Sequence, residues 1–434
     1  MVFMKIMTTQ EISEKTTIID PFWIVFAAFL LTFQWFFIRM IFFDPSHVMK
    51  VFKSPYGNFS IGHDLQQMLS YPASWLNQGT TPYIGQNNYP PVTTLLFSPL
   101  IYQDFYKIFV LITTLTLVCF LVIAFLFPLG ISKNSKVTPL LVLIFIVGLI
   151  SYGFQYEIER GQFNVIAMAL CFSAIYLFHK KPRLSWLAYV LFTIAIQLKL
   201  YPAIFILFFV RDWKAFTENL KRFLGLGFVN FALFFALGWG VFEDFLIALR
   251  GKAIDPMIGV GNLSIRSFTQ NWLPKTIFDY LNIPSIQFVN SRANLLEIGI
   301  FLLVIAMVIV VAIKSIQKRT PGIDPYLLLN CTCAALLIPP VSHDYKLPIL
   351  VGPVGYLLFN LIIERTKKSG AWMITSGLIF LFSLAYFSTQ YSYQQKSPLI
   401  ANNFSAVFLM MVIAVVFSFI DNTKESAEKI PPVR

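Results

Sequence analysis

Four short stretches of this sequence place ionisable side chains beside long apolar runs. The first, Gly-His-Asp-Leu, contains Asp64, and the second, Glu-Arg-Gly-Gln-Phe-Asn, contains Arg160 and Gln162. The third, Leu-Lys-Leu-Tyr-Pro, contains Lys199, and the fourth, Ser-His-Asp-Tyr-Lys, contains His343. Ionisable groups at membrane depth are costly and usually face a protein interior or a wet cavity. These stretches are therefore the first candidates for a functional site.

A carboxylate at Asp64 could carry out acid–base chemistry. It is followed by aromatic residues and proline-fixed turns, among them Trp75, Pro82 and Tyr83. In such surroundings at the membrane surface it could accept a proton from a sugar hydroxyl. The alternative is that Asp64 only caps the start of an interfacial helix.

The cationic candidates suit an anionic ligand. An ammonium at Lys199, between two apolar pieces, would suit a phosphate or pyrophosphate group, whereas ordinary snorkelling to the surface is the alternative. Arg160 could contact a substrate or pair structurally with Glu157. His343 could bind an acceptor or a phosphate, or it could cap a helix start while Lys346 anchors to lipid headgroups.

Further polar residues near these stretches complete the candidate substrate contacts. They are Tyr83, Tyr89, Gln162, Asn164, Tyr201, Asn262, Ser264 and Asp344. Asn262 and Ser264 follow a Gly-Val-Gly turn, where such residues are common, so these two matter only as part of the set.

The composition indicates which elements must position these residues. Hydrophobic residues make up 57% of the 434 residues and charged residues only 12%, which predicts a single all-α polytopic membrane domain over residues 1–434. Apolar runs that could cross the bilayer lie near 21–43, 104–129, 138–153, 162–179, 219–241, 295–313, 324–340, 347–363, 371–388 and 404–420. The segment 184–210 predicts a hairpin of two short helices meeting at Lys199, and 91–103 is expected to dip into the membrane. The total is about eleven or twelve transmembrane segments.

Basic residues in the short loops predict the orientation. They cluster near 133–136, 180–183, 211–222, 314–319 and 365–368. Such loops are held on the cytoplasmic side, so both termini, including the tail 421–434, are predicted to be cytoplasmic. The long loops 44–90 and 242–294, and the candidate residues, then lie outside. The net charge of +12 reflects this anchoring and attraction to anionic lipid, and it does not indicate nucleic-acid binding.

Several other classes of site are not indicated by the sequence. The cytoplasmic loops are too short for a folded domain, and no Gly-rich phosphate loop predicts a nucleotide site. Four cysteines, all in apolar runs, predict neither disulfides nor zinc, and no other metal-ligand spacing accompanies Asp64. We therefore expect chemistry without a metal or cofactor. The first apolar run is too long for a cleaved signal peptide and predicts a retained anchor.

Taken together, the stretches resemble glycosyltransferase family 87, within the GT-C superfamily of polyprenyl-phosphate-dependent glycosyltransferases. The resemblance is carried by the ordered motifs that begin at Gly62, Gly79, Tyr89, Arg160, Lys199 and Ser342. It implies a GT-C fold whose extracytoplasmic loops carry short amphipathic helices. One departure is that Gln67 to Ser70 precede Tyr71, where the family usually shows aromatic residues sooner; this concerns the acceptor pocket.

The same resemblance implies an activity and roles for the candidate residues. A hexose, often mannose, would pass with inversion from a polyprenyl-phosphate carrier to an extracytoplasmic lipid or glycan acceptor, at a bacterial plasma membrane. Asp64 would be the general base on the acceptor hydroxyl. Lys199, Arg160 and His343 would form the cradle for the donor phosphate, and the lipid-linked sugar would be a substrate and not a cofactor.

Two other functions remain open from the sequence. A lipid-linked-sugar flippase or a small-solute transporter would also be polytopic, with basic residues in its cytoplasmic loops. It would need polar residues through the bilayer depth, whereas here they concentrate at the outer ends of helices. A structural scaffold would leave Lys199 and the His343 cluster without a purpose.

Overall fold

The structure is a computed structural model of the full chain. It describes residues 61–428 except 84, 86, 133–137, 255–260, 274–285, 318–321, 366–370 and 387–402, together with 24, 27, 28, 30 and 31. The predicted span near 21–43 and the beginning of the first external loop lie almost entirely outside this part.

The described residues form sixteen α-helices. They are α1 (His63–Gln78), α2 (Pro91–Phe97), α3 (Phe105–Leu121), α4 (Phe127–Ser132), α5 (Thr138–Leu149), α6 (Tyr152–Arg160), α7 (Asn164–Lys180), α8 (Ser185–Leu198), α9 (Phe216–Leu233), α10 (Trp239–Ile254), α11 (Ile265–Ser267), α12 (Ile286–Gln317), α13 (Pro325–Leu337), α14 (Val351–Arg365), α15 (Ala371–Tyr386) and α16 (Phe404–Glu428). Short 3-10 helices follow α2 (Ser98–Tyr102), α7 (Pro182–Leu184), α8 (Tyr201–Phe208) and α13 (Asp344–Leu350), and π turns extend α3 and α11. No strand occurs in this part of the chain, which confirms the all-α class.

The apolar helices confirm a polytopic membrane protein. Within the described residues, Phe105–Ile131 and Ala293–Gln317 are each long and apolar enough to cross a membrane. The pair α5 and α6 passes the same test as one span bent by 51°. Shorter apolar helices, such as Asn164–Lys180 and Pro325–Leu337, lie between these. The total of eleven or twelve spans stays a prediction.

Two predicted spans are divided where the sequence favours a helix end. The span predicted over 138–153 ends at Leu149, because the Ser151 hydroxyl donates to the Gly148 carbonyl (2.7 Å) and accepts from the Phe154 amide as the cap of α6. The span predicted over 219–241 ends at Leu233, and the chain turns through Gly238, whose φ of 95° is left-handed. Local capping and glycine therefore override the continuous apolar pattern.

The segment 184–210 forms the predicted hairpin of two short helices. α8 ends at Leu198, Lys199 is extended, and a 3-10 helix begins at Tyr201 with Pro202 in its first turn. At the other end Arg211 donates to the Ser185 hydroxyl (2.6 Å), so the hairpin returns to the side on which it started. Lys199 consequently lies at the tip, remote from the basic residues near Arg211.

Helix α1 is fixed against the end of α6 by two glycines. Gly62 and Gly161 both have φ of 66°, a region that disfavours side chains. The Gly62 amide donates to the Glu159 carbonyl (2.8 Å), and a Cβ added to Gly161 would lie 2.7 Å from the Cβ of Leu65. This close approach sets Asp64, in the first turn of α1, beside Arg160.

We expect Gly161→Ala to destabilise the protein and to reduce activity. The left-handed backbone alone costs about 1–2 kcal/mol for a residue with a side chain, and the contact with Leu65 adds to that cost. Gly225→Ala in α9 is the matched control, since a Cβ there meets nothing within 4 Å and alanine favours a helix. The Tm of the purified variants should fall for Gly161→Ala only; equal Tm values would contradict this packing.

Candidate active site

A cavity of about 550 Å³ collects side chains from α1, the end of α6, the hairpin tip, α10 and the junction between α13 and α14. Its lining is His63, Asp64, Gln67, Tyr71, Asn88, Tyr89, Pro90, Tyr156, Arg160, Gln162, Lys199, Leu200, Tyr201, Leu249, Lys252, Pro339, Pro340, Val341, His343, Tyr345 and Lys346. Seven of the residues singled out in the sequence are among them: Asp64, Tyr89, Arg160, Gln162, Lys199, Tyr201 and His343. Segments far apart in the chain thus converge on one site.

The Asp64 carboxylate bonds to two other side chains that line the cavity, Arg160 and Gln162. One carboxylate oxygen lies 2.5 Å from Nη2 of Arg160, and the other accepts a hydrogen bond from Nε2 of Gln162 at 2.5 Å. The cap position of α1 is Gly62, with no side-chain cap bond. The alternative of Asp64 as a helix cap is therefore wrong. Each carboxylate oxygen can accept more than one hydrogen bond, so a substrate hydroxyl can still approach it.

Gln162 connects the carboxylate to a lysine. Its Oε1 accepts from Nζ of Lys199 at 3.0 Å and lies 3.5 Å from the Tyr89 hydroxyl. The Lys199 ammonium also lies 4.3 Å from the centre of the Tyr89 ring and 4.5 Å from that of Phe163, distances typical of cation–π contacts. Lys199 is therefore held inside the site by an amide and two aromatic faces, and it does not reach toward the lipid surface.

The junction between α13 and α14 contributes His343 and Lys346. The Lys346 ammonium donates to the Val341 carbonyl (2.8 Å) and lies 5.3 Å from the centre of the Tyr201 ring. Lys346 is 6% exposed, so it does not serve as a headgroup anchor. Burial, with the nearby Lys346 charge, lowers the pKa of His343 to about 4. At neutral pH His343 consequently offers hydrogen bonding and no positive charge.

Three residues predicted to bind substrate, Asn262, Ser264 and Asp344, lie outside the cavity lining and are fully buried. The Asn262 amide donates to the Pro340 carbonyl (3.1 Å) and accepts from the backbone amides of Ser264 and Ser342. The Ser264 hydroxyl donates to the same Pro340 carbonyl. Asp344 accepts from Asn403 at 2.9 Å. Asn262 and Ser264 thus hold the loop that follows α10 against the junction that carries His343, and the Asp344 side chain connects that junction to the residue before α16.

Two further predicted substrate contacts, Tyr83 and Asn164, are also absent from the cavity lining. The Tyr83 hydroxyl donates to the Tyr89 carbonyl (2.8 Å), and its ring packs 5.5 Å from that of Phe245 in α10. The Asn164 amide donates to Glu157 (2.8 Å) and accepts from the Tyr201 hydroxyl. Each residue thus positions one that lines the cavity.

Some lining residues were not selected from the sequence. Lys346, the last residue of the His343 stretch, belongs to a cluster of four side chains that the sequence offers as an acceptor or phosphate contact, but it is not among the individual candidate residues. Gln67 and Tyr71 follow Asp64 by three and seven positions, a spacing that places them on the same helical face. This helical spacing could have identified both residues from the sequence. Among the described residues, no three His, Cys, Asp or Glu side chains come together as metal ligands, and metal independence stays a prediction.

Comparison with known proteins gives one family. The sequence model of glycosyltransferase family 87 matches residues 87–340, which is more than half of the chain. The matched region contains Arg160, Gln162 and Lys199, whereas Asp64 and His343 flank it. No curated protein matches the chain.

Proposed function

The chain belongs to glycosyltransferase family 87, a family of GT-C type, and we propose that it transfers a hexose from a polyprenyl-phosphate-linked donor to an extracytoplasmic lipid or glycan acceptor. Mannose is the first candidate for the sugar. The observation that supports this proposal most is the convergence of one carboxylate, Asp64, with Lys199 and Lys346, two of the three lysines that line one cavity. A carboxylate can accept the proton of the acceptor hydroxyl, and the lysine ammonium groups can stabilise a phosphate leaving group.

In the proposed reaction Asp64 acts as the general base. The acceptor hydroxyl attacks the anomeric carbon from the face opposite the phosphate, which inverts the configuration. Its proton passes to a carboxylate oxygen of Asp64 as the new carbon–oxygen bond forms. The pairs with Arg160 and Gln162 fix the carboxylate so that it meets the hydroxyl in a single orientation.

The lysines act on the leaving group. The bond between the anomeric carbon and the phosphate oxygen breaks with its electron pair remaining on the phosphate, so polyprenyl phosphate gains one negative charge. Preorganised cations at that oxygen stabilise the transition state more than the ground state. Lys199 and Lys346 can supply the charge, His343 can supply a hydrogen bond, and Arg160 adds charge while paired with Asp64.

The proposed location is the outer face of a bacterial plasma membrane, with both termini inside. The hairpin supports this orientation, because Lys199 at its tip and Arg211 at its base lie at opposite ends. The base adjoins basic residues of the kind held in the cytoplasm.

The test is transfer of radiolabelled sugar by the purified protein from synthetic polyprenyl-phosphate mannose and related polyprenyl-phosphate sugars to membrane extracts. Nucleotide sugars are the control donors. Consumption of a polyprenyl-phosphate sugar, and of no nucleotide sugar, is the expected result. If no lipid donor were consumed while labelled lipid-linked sugar crossed protein-containing liposomes, the enzyme proposal would be rejected in favour of the flippase.

Donor binding is expected to weaken as the pH rises from about 6 to about 8. Burial, together with the neighbouring Lys199 charge, lowers the pKa of Lys346 to about 7, while Glu157 on α6 opposes that shift. Lys346 is therefore charged below about pH 7 and neutral above it. Loss of this one proton should raise the donor Kd by at most about tenfold per pH unit.

Titration of donor binding with a radiolabelled lipid donor measures this effect. The donor is a phosphodiester, whose charge does not change over that range, and His343 is neutral throughout because its pKa is about 4. Lys346→Arg keeps a permanent charge and should flatten the profile. An unchanged slope in Lys346→Arg would assign the titration to Lys199 or Glu157.

A further inference from the structure

We infer that the base of the hairpin 184–210 binds one anionic phospholipid, whose headgroup phosphate lies between the guanidinium groups of Arg211 and Arg222. This site is at the opposite end of the hairpin from Lys199, so lipid binding there is independent of the proposed sugar transfer. We refer to Arg211 and Arg222 together as the arginine pair.

Both members of the arginine pair lie over one aromatic ring. The guanidinium carbons of Arg211 and Arg222 are 4.5 Å and 5.1 Å from the centre of the Phe178 ring. The Phe178 side chain is fully buried, so its position is fixed by packing. A cation over an aromatic face is attracted by the ring. Phe178 therefore holds two positive charges side by side, although they repel each other.

The arginine pair keeps its charge uncompensated by the protein. The groups that accept its hydrogen bonds, at 2.6–3.3 Å, are all uncharged: the Phe178 and Phe209 carbonyls, the Ser185 and Tyr189 hydroxyls and the Asn219 amide oxygen. Among the described residues, neither arginine forms an ion pair with a carboxylate. These bonds use Nε and Nη2 of Arg211 and Nε and Nη1 of Arg222. One terminal nitrogen of each guanidinium is left to donate to another acceptor.

The surrounding charge favours an anionic ligand. The segments 180–183 and 211–222 together contain seven lysine and arginine residues and only two acidic residues, Asp212 and Glu218. The Asp212 carboxylate accepts from the backbone amide of Lys214 (2.9 Å). Guanidinium groups form their strongest hydrogen bonds with phosphate and carboxylate oxygens, and basic pockets between membrane helices bind anionic lipid headgroups. A phosphate bridging the arginine pair matches this arrangement.

Exposed apolar side chains beside the arginine pair favour a lipid over a soluble phosphate. Trp186, near the start of α8, is 63% exposed. Four residues of α9 recur at every fourth position and are 43–73% exposed: Phe216, Leu220, Leu224 and Phe228. This spacing puts the four on one side of the helix, as a stripe that begins at its basic end. Aromatic and basic residues together are typical of the membrane–water interface. Acyl chains can therefore lie along the stripe while the phosphate contacts the arginine pair.

Equilibrium binding of tritiated phosphatidylglycerol to the purified chain in a neutral detergent tests the site. Arg222→Gln should raise the Kd about tenfold, the loss expected for a hydrogen bond to a charged group. Arg222→Lys keeps the charge without the planar fork and should weaken binding less. Arg183→Gln is the matched control, because Arg183 is an exposed member of the same basic region and should contribute little. Equal losses in Arg183→Gln and Arg222→Gln would indicate diffuse attraction and overturn the inference.

Competition and crosslinking of the wild type locate the ligand without any substitution. Neither inorganic phosphate nor phosphatidylcholine should displace phosphatidylglycerol at equal concentration. Displacement by inorganic phosphate would identify a site for a soluble anion and would overturn the assignment to a lipid. Phosphatidylglycerol with a photoreactive acyl chain should form adducts with peptides that contain Trp186 or residues 216–228. Adducts confined to other helices would contradict the site, whatever donor the protein consumes.

Discussion

Replacing Asp64 by asparagine is expected to lower kcat for sugar transfer by about 10²–10⁴-fold, because the acceptor hydroxyl loses the group that removes its proton. An amide oxygen at this position can still accept the hydrogen bond from Gln162, but it cannot take up the proton. The donor phosphate is assigned to other residues, so donor binding should persist. The two measurements are the rate of transfer at saturating substrates and the equilibrium binding of radiolabelled donor.

Asp104→Asn is the matched control for this substitution. Asp104 caps α3 by accepting from the Tyr106 and Lys107 amides, and it does not line the cavity. Asparagine caps helices about as well as aspartate, so both the fold and the activity should be retained. Wild-type transfer rates in Asp64→Asn would show that another group removes the proton. Loss of both transfer and donor binding would point instead to collapse of the site around Arg160, which a lowered Tm would reveal.

Lys199→Met should lower kcat/KM by about 10²–10³-fold, the effect typical of removing one preorganised group that stabilises a developing charge. Methionine keeps the length of the side chain but removes the ammonium from the hairpin tip. If Lys199 acts on the leaving phosphate, most of the loss should appear in kcat, since the negative charge grows during bond cleavage. Steady-state kinetics with the lipid donor separate kcat from KM.

Stability distinguishes this role from a structural one. A lysine surrounded by Tyr89 and Phe163 is partly desolvated, and removing a desolvated charge need not lower the Tm. Lys107→Met, at an exposed position of α3 outside the cavity, is the matched control and should change neither activity nor Tm. A Lys199→Met variant with a lowered Tm and unaltered kinetics would contradict the phosphate assignment.

The sequence predicted those features that depend on local patterns. The hairpin tip at Lys199 was predictable because a charge and Pro202 interrupt an apolar run. The all-α membrane class followed from composition, and seven candidate residues do line one cavity. The break at Ser151 was missed because an apolar run conceals a side-chain cap, whose effect depends on a single hydroxyl.

Contacts between distant segments were not predictable. Gln162 bonds to Asp64, 98 positions away, and a single sequence contains no information on that pairing. The sequence offers Asn262 as a substrate contact only as a member of the set of polar residues, since asparagine is common in turns. Its side-chain amide instead hydrogen-bonds to the backbone of Pro340 and Ser342, which lie in another loop. Polarity therefore identified residues near the site but could not separate lining residues from supporting ones.

The side-chain amide of Gln162, which hydrogen-bonds to both Asp64 and Lys199, also prevents proton transfer between these two residues. A carboxamide is polarised by the charged groups that it contacts, but it has no site that gains or loses a proton at ordinary pH. A proton captured by Asp64 therefore cannot reach Lys199 through this bridge and return to the departing phosphate. In the proposed reaction it leaves through the cavity mouth, so each turnover should release one proton to the solvent that the cavity faces when the pH lies above the pKa of the product phosphate.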